Sequence, residues 1–174
     1  MKRAQDWAGD FASFLKDYKY QPSLTPRLDA LRTESFDQQL VNEIVLWKVN
    51  RYAPMEAEAL DALNSLVGVE PGNHRQAESV LRLLLRQPGV DLPMASTLMR
   101  FRKPATFQII DRHAYRAVTG DYYPLYSTSG EDRKVTLYFE YIDDLMRLAA
   151  ERNVAFKDLD RMLYVFDRQE NGSL

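Results

Sequence analysis

Residues 87–95 read QPGVDLPMA, and sixteen positions after Ala95 the chain reaches Asp111 in DRHAYR. A Pro-Gly step between two apolar-periodic stretches predicts a tight turn joining two helices, with glycine supplying the sharp bend. The helix that begins after such a turn offers N–H groups not used by the helix itself. Together with the positive end of the helix dipole, they suit a phosphate oxygen. The surroundings add charge. Between Arg75 and Arg116 there are eight basic residues against Glu78, Asp91 and Asp111, so this segment carries +5 and the rest of the chain −7, for a net charge of −2. A basic middle on an acidic body can form an anion-binding face, and it can equally be a set of solvated helix surfaces. Pro88, Gly89, Val90 and Asp91 are the turn residues placed against a phosphate strand, with Arg100, Arg102 and Lys103 as nearby cations. Asp111 is a good N-cap for a helix starting at Arg112.

The residue inventory narrows the chemistry. The 174 residues contain no cysteine and only His74 and His113 as histidines. Disulfides, thiolate zinc sites, iron–sulfur clusters and cysteine nucleophiles are excluded, and a histidine-rich metal site is not expected. No Gly-rich nucleotide loop, Ser–His–Asp arrangement or HExxH motif is present. No apolar run approaches a membrane span, and the N-terminus lacks the apolar core of a signal peptide, so a cytoplasmic protein without membrane partners is expected.

Helical periodicity fills most of the chain and predicts an all-α protein. Trp7, Phe11, Phe14, Leu15 and Tyr18 form a first stripe, and a short helix is expected near RLDALR. Ser35-x-x-Gln38 opens a helix running toward Tyr52. Pro54 suits the first turn of the next, whose apolar face is read as Leu60, Leu63, Leu66 and Val67. Asn73-x-x-Gln76 opens the helix before the turn, with Ala77, Val80, Leu81, Leu84 and Leu85 inward. Pro93 begins a helix with Met94, Leu98 and Phe101 inward. FQII, at 107–110, reads as a buried connection or a strand. Asp111 starts a helix closed by Gly120. A long helix from about Asp132 buries Val135, Phe139, Ile142, Leu145 and Leu148. A last helix holds Phe156, Leu159, Leu163 and Phe166.

Pro88, Gly89, Val90 and Ala95, followed at the stated spacing by Ile110, Asp111, His113 and Arg116, resemble the helix–hairpin–helix DNA glycosylases of the endonuclease III and adenine glycosylase superfamily. The matching stretch covers about a sixth of the chain. The resemblance implies a two-lobed helical bundle. One lobe would span 53–120, with the hairpin, and the other would combine 1–52 with 121–174. It implies a cleft in which Asp111 acts on the N-glycosidic bond of a damaged or modified DNA base. There a carboxylate stabilises the oxocarbenium-like sugar and takes a proton from water. It places Asn50, with Arg51 beside it, as a wedge behind a flipped base, and Lys48 in the pocket as a catalytic substitute for the family's lysine, the alternative being a lysine that snorkels from its helix end. His113 would bond a phosphate or a backbone carbonyl, and Arg116 would bond DNA or an acid of the other lobe. Tyr122, Tyr123 and Tyr126 would stack on a base or pack the loop.

Three departures qualify the match. The position of the family's nucleophilic lysine is Pro93, which has no amine, so a monofunctional, water-using enzyme is implied. Asp91 replaces the second hairpin glycine and sets a carboxylate near incoming phosphate. Gln87 replaces the leading leucine. The expected reading is therefore a monomeric, cofactor-free glycosylase acting on DNA, with a catalytically inactive DNA-binding or protein-interaction module as the alternative.

Overall fold

In the computed structural model, residues 21–30, 38–49 and 53–172 are described. They form eight α-helices and short 3-10 turns, with no strand among them. The fold is all-α, as the periodicity requires. The chain divides into two compact units, 1–52 and 53–174. The first stripe, from Trp7 to Tyr18, lies outside the described residues, as do Ser35, Asn50, Arg51 and Tyr52.

The N-terminal unit contains α1 (Thr25–Asp29) and α2 (Gln38–Lys48). Trp47 Nε1 donates to Thr25 Oγ1 at 2.8 Å, and Arg27 pairs with Glu43 at 3.0 Å. Leu24 and Leu40 are buried. Lys48 is the last residue of α2, where a cation complements the negative end of the helix dipole.

The C-terminal unit is built from α3 (Ala57–Ser65), α4 (Glu78–Leu85), α5 (Leu92–Arg102), α6 (Arg112–Thr119), α7 (Glu131–Arg152) and α8 (Leu159–Glu170). The 22 residues of α7 span about 33 Å. This helix supplies Val135, Tyr138, Phe139, Tyr141, Ile142 and Leu145 to a core that also holds Leu66, Leu81, Leu84, Leu92, Met99, Phe107 and Ile110. Residues 121–172 thus share one core with 53–120. This partition differs from the expected one, which joined the last third of the chain to 1–52.

Two helix faces differ from the expected ones. On α5 the buried positions are Leu92, Ala95, Ser96, Met99 and Arg100, whereas Met94 is 43% and Phe101 67% exposed. The i, i+3, i+4, i+7 row is intact but starts at Leu92. Small Ala95 and Ser96 face inward, and Ser96 Oγ accepts from the Ile110 N–H at 3.2 Å. On α3 the helix begins at Ala57 rather than at Pro54. Ala59 is buried while Leu60 and Val67 are exposed. The Glu56 N–H ahead of α3 is satisfied by Gln87 Oε1 at 3.1 Å.

The segment 107–110 is the buried connection expected of FQII. Many of its polar groups find partners, as burial favours. Tyr138 donates to Gln108 O and Tyr141 to Ile109 O, each at 3.0 Å. The Gln108 side chain donates to the Pro104 and Phe107 carbonyls and accepts from the Asp160 N–H. This anchored segment delivers Asp111 to the start of α6. Gly120 ends α6 in the left-handed region at φ 78°, a conformation open to glycine at little cost.

Candidate functional site

Asp111 caps α6 with extended backbone, and its Oδ1 accepts from the Ala114 N–H at 2.7 Å. Among the described residues no hydrogen bond is formed to Oδ2. The side chain is half-buried and lines an open groove of about 290 Å³ with Ile109, Asp160, Arg161, Tyr164 and Val165. Ile109 comes from the anchored 107–110 segment, and Asp160, Arg161, Tyr164 and Val165 come from α8. The carboxylate is therefore held through one oxygen, and the residue that carries it lines the groove. That geometry can stabilise a nearby cation or accept a proton.

The 88–91 turn lies between α4 and α5. Gly89 adopts φ 77°, and a Cβ there would meet only Ala53 Cβ at 3.9 Å, so the dihedral rather than space calls for glycine. Pro88 and Gly89 are exposed, and Val90 is buried in the core. Two of the expected free donors of this turn are engaged and a third position has none. The Val90 N–H donates to Gln87 O, the Leu92 N–H to Asp91 Oδ1, and Pro93 has none. Asp91 Oδ1 also pairs with Lys134 Nζ at 2.7 Å, and the same ammonium donates to Ser127 O. The chain's own carboxylate thus sits where a phosphate oxygen was expected, already partnered by a cation of α7.

The basic segment is largely neutralised inside the unit. Arg82 bridges Glu78, Glu131 and Asp132, and Arg86 reaches both oxygens of Glu131. These two guanidiniums hold the Glu131 carboxyl down at about 2, against burial, which opposes the shift. Arg75 and the imidazole of His74 meet Asp143. Arg102 donates twice to Asn64 O and Lys103 to Val67 O, closing the end of α3 and the turn after it.

Several expected DNA contacts are corrected by these partners. Arg100 is buried, 3.1 Å from Asp160, and donates to Lys157 O, so its charge does not reach a strand. His113 Nδ1 lies 2.7 Å from Asp167 Oδ2. Arg116 donates to both oxygens of the same carboxylate at 2.8 Å. Asp167 is fully buried, and Arg116 first, then Asn171 and His113, hold its carboxyl well below the ordinary range. His113 and Arg116 therefore tie α6 to α8. For Arg116 this is the pairing with an acid that the sequence offered as one of two roles.

The phenol of Tyr123 is shifted above its ordinary value. Burial raises it most, Asp91 adds to the shift, and Arg112 opposes it. Tyr115 packs edge-on against Tyr123 and stacked on Tyr141, whereas Tyr122 and Tyr126 are largely exposed.

The acids of α8 were missed because Asp160 and Asp167, seven residues apart, look like part of an acidic outer face. Their spacing with Leu159 and Leu163 was the available signal, since it puts both on the buried stripe. Arg161 and Tyr164 of the groove lining were missed because they are exposed positions on a helix read as packing only.

Lys48 lies in the N-terminal unit, and Asn50 and Arg51 fall outside the described residues. No group of three or more metal-ligating side chains occurs among the described residues, and none of their helices is long and apolar enough to cross a membrane. Comparison of the chain with family models, curated proteins and solved structures finds no match.

Proposed function

We propose that the protein is a helix–hairpin–helix DNA glycosylase-like hydrolase of the cytoplasm. On this reading it releases a damaged or modified base without a lysine nucleophile. The observation that carries the reading is Asp111: a half-buried residue whose carboxylate caps α6 through one oxygen, has no hydrogen bond to the other among the described residues, and lines an open groove. In the proposed reaction Asp111 stabilises the cationic sugar and orients the attacking water, while the N-cap bond fixes its position.

The test is base release from duplexes carrying a panel of lesions, by wild type and Asp111→Asn. Asparagine retains the cap but loses the charge. A fall of about 10²–10³-fold in release, with an unchanged melting temperature, supports the reading. Equal release by the two proteins removes it.

A second reading, a non-catalytic DNA-binding or protein-interaction module, is favoured by the Asp91–Lys134 pair and by the internal partners of Arg75, Arg82, Arg86, Arg100 and Arg116. Absence of release from every lesion, with salt-sensitive DNA binding, selects a DNA-binding module.

A further inference from the structure

In the C-terminal unit most arginines have a carboxylate or carbonyl partner. Arg161 is an exception: its backbone N–H donates to Asp160, but among the described residues its guanidinium has no ion pair, and it lines the Asp111 groove. The neighbouring acid does not hold it. Asp160 Oδ2 accepts from Arg100, and its Oδ1 takes the Arg161 N–H. The other walls are set. Tyr164 is braced by the edge of His113, at 5.1 Å between centroids, and by Arg168, which lies over its ring and donates to its hydroxyl. Ile109 and Val165 are apolar. At about 290 Å³ the groove falls just below the ~300–1,000 Å³ of sites for drug-sized ligands, so it suits one heterocycle rather than a larger molecule.

A planar fork of donors among the lining residues of a largely apolar groove selects a ligand with two adjacent acceptors on a flat ring. Among nucleobases, the O6/N7 edge of a 6-keto purine meets a guanidinium bidentately, whereas adenine presents an amino donor at that place. We infer that the groove is a base-binding site and that Arg161, a residue of α8, selects a 6-keto purine in it. The inference rests on the proposed glycosylase reading for its biological setting, but the binding can be measured apart from base release.

The experiment titrates the full chain with inosine and with adenosine, soluble nucleosides that differ at this edge, and follows ligand signals by saturation-transfer NMR. Wild type is expected to favour inosine by about fivefold or more, the lower end of discrimination by a bidentate pair. Arg161→Gln and Arg161→Lys are expected to abolish the preference. The lysine variant keeps the charge and loses only the fork. Because Arg161 is exposed, both variants are expected to melt with wild type. No binding, no preference, or a preference that survives in Arg161→Gln overturns the assignment. So does loss of the preference on adding inorganic phosphate, which would make Arg161 a phosphate contact. If inosine selection depends on Arg161 and no duplex loses a base, the base site stands and the catalytic reading falls. If duplexes lose bases equally with and without Arg161, the catalytic reading stands and the base site falls.

Discussion

Two aspartates of the C-terminal unit solve the same local problem and end in different circumstances. Asp91 and Asp111 each precede a helix in extended backbone, and each accepts a backbone N–H near that helix start. Asp91 is then matched by Lys134 at 2.7 Å. Asp111 has no such cation on it among the described residues and borders a groove. The capping function is common to both, so capping alone does not mark a working carboxylate. What separates the two is the third party: a lysine from α7 in one case, open space bounded by α8 in the other.

The pairs that frame these aspartates should give the largest effects when broken. Arg100 and Asp160 are both buried, and Asp160→Ala leaves a guanidinium without its counter-charge. A loss of about 3–5 kcal/mol is expected, read from urea unfolding. The double change Arg100→Met with Asp160→Leu should recover much of it, since an apolar pair carries no desolvation penalty. A single change that costs nothing would mean that α8 is not secured as described, and the Asp111 groove would lose its wall.

Alanine at each cap separates the shared capping role from what differs between the two sites. Asp91→Ala and Asp111→Ala should each lower stability by about 1 kcal/mol, the ordinary value of an N-cap. Asp91→Asn should do something Asp111→Asn does not. It removes the negative charge from the turn and leaves Lys134 unpaired, so duplex affinity should rise, with a salt dependence steeper by about one phosphate contact. Gel-shift titrations at two salt concentrations check this. Unchanged affinity in Asp91→Asn would show that the turn does not face the nucleic acid.

Acid should act in two stages. Burial, the largest cause, lowers the His74 pKa in the folded state, against the pull of Asp143. The neutral imidazole is therefore the form the fold favours. Its stabilising contribution is present above the unfolded value near 6.5 and is lost as pH falls through the folded value. Asp167 and Glu131 are depressed carboxylates. Their contributions hold above the ordinary carboxylate range near 4 and disappear as pH falls toward their folded values, which for Glu131 is about 2. Melting temperatures followed from pH 8 to pH 2 should show a shallow decline that sets in below about pH 6.5, absent in His74→Gln, and then a steep one below about pH 4. The His74 step is the smallest of these effects. Its persistence in His74→Gln would assign it to another group.

Much of the fold was legible because α4, α6 and α7 carry clean apolar stripes with clear ends. Val135, Phe139, Ile142 and Leu145 are buried, and Gly120 closes α6, as periodicity and capping rules require. The face of α5 was misread because hydrophobicity alone favours Met94 and Phe101 over Ala95 and Ser96. Close approach of the 107–110 backbone selects the small residues instead. The charge pattern misled for a related reason. The +5 segment looked available to an outside anion, but Glu131, Asp132, Asp143, Asp160 and Asp167 return to it from the acidic remainder of the chain. Sequence distance hides such pairs, since they span roughly 50–70 positions and leave no local trace. Asp111 was legible because its cap geometry and spacing are local. The groove beside it was not, because α8 supplies one whole side.

The short run ahead of Asp111 is gripped by three hydroxyls: Ser96 on the N–H of residue 110, and Tyr138 and Tyr141 on the carbonyls of residues 108 and 109. A tripod of this kind fixes a point in space more firmly than any one leg does. Removing a single oxygen, as in Tyr138→Phe, would leave the fold intact and let the carboxylate wander. Chemistry at the groove would then register damage done on a helix that never reaches it.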